Sequence, residues 1–103
     1  MTNKLKLKDA IDTGMKEFSD ALFNLLDADK NHGAINNGSP IIVERFTVNE
    51  VNYKVWLTKS RAGLMVKDGE IQKHKWTNRN SNTVEFPYAR LLEWLVNDIV
   101  SHY

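Results

Sequence analysis

Over residues 42–48 and 51–57 apolar side chains recur at nearly every second position, whereas toward both ends of the chain they recur at every third or fourth. A period of two sends alternate side chains to opposite faces of a strand, and a period near 3.6 stacks them on one side of a helix. The chain therefore reads as helix, strands, helix. On the N-terminal side Leu7, Ile11, Met15, Phe18, Leu22 and Leu25 form the apolar stripe, with Asp9, Asp12, Lys16, Glu17 and Asp20 between them. This predicts a helix over 7–26. Gly14 lies inside it at a cost of up to about 1 kcal/mol relative to alanine, so the helix depends on packing more than on propensity.

In the central stretch, a tight turn at Asn49-Glu50 would place Ile42, Glu44, Phe46 and Val48 on the same face as Val51, Tyr53, Val55 and Leu57. Seven of these eight are apolar, and Val43, Arg45, Lys54 and Trp56 turn the other way. Asn-Glu is not the favoured Asn-Gly, which leaves room for a longer loop. Asp68-Gly69 is a stronger turn signal and predicts a second hairpin pairing Val66 with Ile71, Leu64 with Lys73 and Met65 with Gln72. Met65, Gln72, His74 and Trp76 then share the face opposite the core. A fifth strand is expected over 82–86, with a polar loop over 78–81 before it. Pro87 suits the first turn of a last helix, where its missing amide hydrogen would be unpaired anyway. There Tyr88, Leu92, Leu95, Ile99 and Tyr103 form a stripe broadened by Leu91, Val96 and Val100, and Arg90, Glu93, Asn97 and Asp98 form the wet side. The expected architecture is α+β: an N-terminal helix, an antiparallel meander of four or five strands, and a C-terminal helix packed on the sheet. With 103 residues it forms a single domain over 1–103, with a polar loop over 29–40 between the first helix and the sheet.

The chain has no cysteine, which excludes disulfides, thiolate metal sites and cysteine nucleophiles. The first residues have no continuous apolar core of a secretion signal, and no apolar run approaches the roughly 20 residues that cross a bilayer. The expectation is a soluble cytoplasmic protein, monomeric or homodimeric, without membrane partners. The net charge of +1 hides an uneven distribution. Residues 1–30 carry five lysines against six carboxylates, while 54–79 carry seven cations against Asp68 and Glu70.

No hydrolase signature or phosphate-cradling glycine loop occurs, and His32, His74 and His102 are far apart in the sequence. Ser60, Ser81 and Tyr53 have no sequence partner to activate them. The segment Asp27-Ala28-Asp29-Lys30-Asn31-His32-Gly33 resembles an EF-hand calcium loop, but glycine comes one residue late, Gly38 stands at the twelfth position, and Pro40 with Ile41-Ile42-Val43 reads as a strand. The reading preferred is a helix cap at Gly33 and a polar loop, with no metal or cofactor and no catalytic residues.

The constellation with a physical rationale is the sheet face opposite the core. Arg45, Lys54, Trp56, Met65, His74 and Trp76 would share it, with Lys59, Arg61, Lys73, Lys75 and Arg79 in or beside the same basic stretch. Cations among exposed rings suit single-stranded or structured nucleic acid, because Lys and Arg neutralise phosphates while bases stack on the rings. The alternative is a regulatory or inhibitory module that binds an acidic protein surface through tryptophan and arginine anchors. The bland reading makes Trp56 and Met65 a second small core beneath the N-terminal helix and the lysines a solvated edge.

From Tyr53 onward the order of elements is basic strands, an Asp-Gly turn, a short strand over 83–86, and an amphipathic helix with Leu91, Leu92, Trp94 and Leu95. This order is similar to the positive-cofactor-four type of transcriptional coactivator. The resemblance implies single-stranded DNA binding on a curved basic sheet and a dimer formed through the helix. It covers about half of the chain, at the level of element order. The long N-terminal helix departs from the pattern, and no residue roles transfer.

Overall fold

The computed structural model describes residues 6–31, 41–78 and 88–103. Helix α1 (Leu7–Asn31) leads into four strands, β1 (Ile42–Val48), β2 (Val51–Leu57), β3 (Arg61–Asp68) and β4 (Ile71–Asn78), and helix α2 (Tyr88–Ser101) follows. The strands form one antiparallel meander in the order β1-β2-β3-β4. The expected fifth strand over 82–86, the loop residues 79–81 and Pro87 lie outside the described residues, as do Gly33 and the rest of 32–40.

The first hairpin has the expected register, with Val48 opposite Val51, Phe46 opposite Tyr53 and Ile42 opposite Leu57. Its two-residue turn has φ of 50° at Asn49 and 73° at Glu50, the left-handed pair of a type I′ turn. That geometry matches the twist of the flanking strands, so it is adopted although glutamate lacks the freedom of glycine there.

The second hairpin differs from expectation. Asp68 pairs with Ile71, Val66 with Lys73, Met65 with His74 and Leu64 with Lys75, so the turn is Gly69-Glu70 and every pairing is displaced by two residues. Gly69 has φ of 61° and Glu70 has no positive φ, the pattern of a II′ turn with glycine at its first central position. A shift of two keeps each side chain on its face. It does move Ile71 to the end of the sheet, where it is 61% exposed and adds little to the core.

Both helices lie on one face of the sheet. Helix α1 packs on β1 and β2, α2 packs on β3, and the helices pack on each other. Phe46, Val48, Val51, Tyr53, Val55, Leu57, Ala62, Leu64 and Val66 point into this layer and are buried. In α2 the buried line is Leu91, Leu95 and Ile99, so the middle of the expected stripe is buried, with Leu91 in place of Leu92, while Tyr88, Val100 and Tyr103 are exposed. In α1 the contact is made by Ala10, Gly14, Phe18, Ala21, Leu22 and Leu25, whereas Leu7 and Met15 are exposed. The small residues let α1 come close to α2 and the sheet. A Cβ at Gly14 would lie 2.5 Å from Ile99 Cδ1, so the glycine that weakens the helix locally is what admits its partner.

Helix α1 continues through Asp27 and Asp29 to Asn31, into the expected 29–40 loop. Helical backbone turns residues two apart to nearly opposite sides, so Asp27 and Asp29 do not converge as an EF-hand loop requires. Among the described residues no helix is long and apolar enough to cross a membrane.

Replacing Glu50 with glycine relieves one left-handed non-glycine residue at an exposed turn. Glu50→Gly should raise unfolding stability by up to about 1 kcal/mol in urea titration. A loss of stability would mean that the side chain, not the turn geometry, holds this hairpin.

Candidate nucleic-acid interface

The face that the helices leave uncovered is a grid set by the strand register. One row across the sheet is Val43, Trp56, Gly63 and Trp76; the next is Arg45, Lys54, Met65 and His74; a third is Thr47, Asn52, Lys67 and Gln72. Arg61 and Asn78 extend it at one end. Among these fourteen strand positions there are four permanent cations, Arg45, Lys54, Arg61 and Lys67, and no carboxylate. The carboxylates of the strands, Glu44 and Asp68, lie on the helix side, and Glu50 and Glu70 occupy turns. Apart from Trp56, Lys54, Met65 and the glycine, every one of these positions is exposed, and no described element packs on the face. Trp56 and Met65 therefore do not form a second core beneath α1.

Trp56 is held in place by a gap in its neighbour. Its indole lies across β3 at Gly63, where an added Cβ would meet the ring at 2.2 Å. Only a residue without a side chain lets the ring lie down there. The indole nitrogen reaches β4 and donates to Nε2 of His74 at 3.0 Å, which requires that His74 nitrogen to be unprotonated. Trp76 stands on the other side of Gly63, 47% exposed, with the guanidinium of Arg61 stacked 4.3 Å from its ring centroid. A stacked guanidinium keeps its in-plane N–H donors available for an anion. Beside the aromatic row is a hollow of about 480 Å³ bordered by Arg45, Lys54, Lys67, Asn52, Met65 and Gln72. Gln72 donates to the Met65 sulfur at 2.7 Å, which closes the hollow on the β4 side.

The residues expected to form the interface are thus divided. Arg45, Lys54, Trp56, Arg61, His74 and Trp76 share the open face, and Lys59 lies in the turn before β3. Lys73 and Lys75 point to the opposite, helix-covered side. Lys73 Nζ lies 3.7 Å from Asp98 Oδ1, and Lys75 Nζ is 6.0 Å from the ring centroid of Trp94. Strand alternation is the cause: they sit one residue from His74 and Trp76 and must face the other way. Arg79 lies outside the described residues. Lys67 and Gly63 were not foreseen as site residues, although their parity with Met65 in β3 carries the signal.

A second polar group gathers on the helix side. Tyr53, 1% exposed, donates its hydroxyl hydrogen to Asp98 Oδ2 at 2.8 Å. His102 Nε2 lies 3.2 Å from the same oxygen, and its Nδ1 is 3.5 Å from Asp68 Oδ2. Asp98 is therefore not on the wet side of α2, and it stands beside His102 although the three histidines are far apart in the sequence. Its sequence signal was the four-residue spacing of Asp98 and His102 beside a stripe containing Ile99. Burial, and next the Asp98 carboxylate, push the Tyr53 phenol well above the usual tyrosine range. A phenol so raised is a donor at neutral pH and not a base, so it ties β2 to α2. The group borders a hollow of about 280 Å³ with Val48, Asn49 and Glu50. Among the described residues no group of three or more His, Asp or Glu side chains is placed to hold a metal ion.

No protein-family model, no curated protein and no solved structure matches this chain. The likeness to positive-cofactor-four coactivators in element order is therefore not accompanied by a match in sequence or structure. The stripe of α2 on which its helix-mediated dimer would depend is buried against the chain's own sheet and α1 through Leu91, Leu95 and Ile99.

The Tyr53 shift has a measurable sign. Its folded pKa is raised, so its contribution is complete below the unfolded tyrosine value near 10 and declines as pH rises beyond it, where the unfolded chain loses a proton that the folded chain keeps. Above pH ~10, stability of the unaltered protein should fall about 1.4 kcal/mol per pH unit more steeply than that of Tyr53→Phe. Parallel pH profiles of the two would show that the hydroxyl is not buried against Asp98.

Proposed function

We propose that this is a small non-catalytic binding protein whose open sheet face holds single-stranded or structured nucleic acid. The observation that carries the reading is the sorting of charge between the two sides of the sheet. The open face has four cations, two tryptophans and no carboxylate. Helix α1 on the far side carries three lysines against six carboxylates, and α2 one arginine against two. Even with Lys73 and Lys75 on the helix side, the described residues thus carry an excess of cations on one side of the sheet and of carboxylates on the other, which orients an anionic ligand toward the open face.

Aromatic rings among the cations favour a ligand with exposed bases. Every base has a face that stacks, and stacking on a side-chain ring contributes about 1–3 kcal/mol, while phosphate neutralisation releases counterions. Double-stranded DNA suits the face less well, because the cations lie on strands and not on a helix shaped for the major groove. The sheet is four strands wide, so only a few nucleotides fit on it and binding is expected to tolerate many sequences.

Fluorescence anisotropy of a labelled mixed-sequence single-stranded oligonucleotide, measured at several salt concentrations with tryptophan emission followed in parallel, tests the proposal. The expected result is salt-weakened binding with tryptophan quenching and a slope of log K against log salt no steeper than about −3, the value for four phosphate contacts on a single strand. No binding at low salt would contradict the reading. An acidic protein surface, for which Arg61 and Trp76 are suitable anchors, would then be the ligand to seek.

A further inference from the structure

Resting on the nucleic-acid reading, we infer that a single strand crosses the sheet perpendicular to the β-strands, its bases over the Trp56–Gly63–Trp76 row and its phosphates over Arg45, Lys54 and Lys67. The open face is not uniformly basic and aromatic. Both tryptophans lie in one cross-strand row, while Arg45 and Lys54 occupy the next row and Lys67 the one beyond. Adjacent rows are two residues apart along a strand, roughly 7 Å, a distance that a nucleotide bridges between base and phosphate. A ligand running along the β-strands would meet the rings and Arg61 at one end and Arg45, Lys54 and Lys67 at the other. A ligand running across them meets both along its whole length.

The two tryptophans have different parts in this track. Trp56 is fixed: it fills the gap at Gly63 and its N–H is engaged by His74, so it forms the floor of the row. Trp76 is the more exposed ring, and Arg61 covers one part of it at 4.3 Å. A base therefore stacks principally on Trp76, with Arg61 donating in the ring plane. The hollow of about 480 Å³ around Arg45, Lys54 and Lys67 receives the backbone. Lys73 and Lys75, although equally basic in sequence, face Asp98 and Trp94 on the other side and take no part.

Anisotropy titrations of a labelled oligothymidylate of about eight nucleotides test the track. The unaltered protein should give a log–log salt slope of about −2, for three phosphate contacts, and Lys54→Gln with Lys67→Gln should bring it to about −0.7. Lys73→Gln with Lys75→Gln should leave slope and affinity unchanged. Trp76→Ala should weaken binding about five- to a hundredfold with little change in slope, and Trp76→Phe should recover most of the loss, which separates stacking from misfolding. Oligonucleotide binding that depends on Lys73 and Lys75 as strongly as on Lys54 and Lys67, or that ignores Trp76, would overturn the crosswise track and leave nucleic-acid binding intact. Failure of the unaltered protein to bind the oligonucleotide at low salt would overturn the underlying reading itself.

Discussion

Tyr53 is the point where the layers of this molecule are joined. Its ring stacks on Phe46 of the neighbouring strand, with centroids 5.3 Å apart and planes 12° from parallel. The edge of Phe46 meets Phe18 of α1, and the Tyr53 hydroxyl donates to Asp98 of α2. One residue in the middle of the sheet thus reaches both helices, one through rings and the other through a part-buried hydrogen bond. Asp98 lies in the last turn of α2, where the helix dipole disfavours a carboxylate. Tyr53, Lys73 and His102 gather around it and offset that cost. A net hydrogen bond to a charged group contributes about 1.5–3 kcal/mol, and losing the Tyr53 hydroxyl would remove one of the groups that, with Lys73 and His102, hold the part-buried Asp98 carboxylate.

Docking both helices on one side determines what the other side must be. Lys73 and Asp98 settle on the helix side, and the cations of β1, β2 and β3 that face outward meet no carboxylate across the strands. Like charges on neighbouring strands destabilise a sheet, and here Arg45 stands directly opposite Lys54. Lysine and arginine side chains lessen that repulsion by reaching out into water, but the arrangement contributes nothing to folding. The proposed anionic ligand would give this pair, on a face that no described element covers, a role that stability does not supply.

The sequence was most legible where one side chain in two must be apolar. The first hairpin follows from that alternation, because a slip of one residue would have turned Phe46, Tyr53 and Val55 into water. The second hairpin was less legible, since a displacement by two leaves Leu64 and Val66 buried in either register, and the difference lies at Asp68, which the expected turn would force to a positive φ and the observed one does not. In α1 the apolar stripe located the contact face through Phe18, Leu22 and Leu25 but not its small residues. Ala10 and Gly14 are in the contact because close approach rewards small side chains, whereas Met15 is left outside. The division of the basic stretch was implicit in strand parity, which sends Lys73 and Lys75 away from His74 and Trp76. The bond between Tyr53 and Asp98 joins residues 45 positions apart, and no local pattern announces it.

On the proposed reading, helices and ligand take opposite faces of one sheet. Its most direct test is the map of amide and indole chemical-shift changes when a short single-stranded oligonucleotide is added to the isotopically labelled protein. The indole N–H signals of Trp56 and Trp76 and the amides around Arg45, Lys54 and Lys67 should move together, while those of Ala10–Leu25 in α1 and Leu91–Ile99 in α2 should stay in place. Shifts centred on the helices or on the hollow beside Asn49, or no shifts at all, would contradict it.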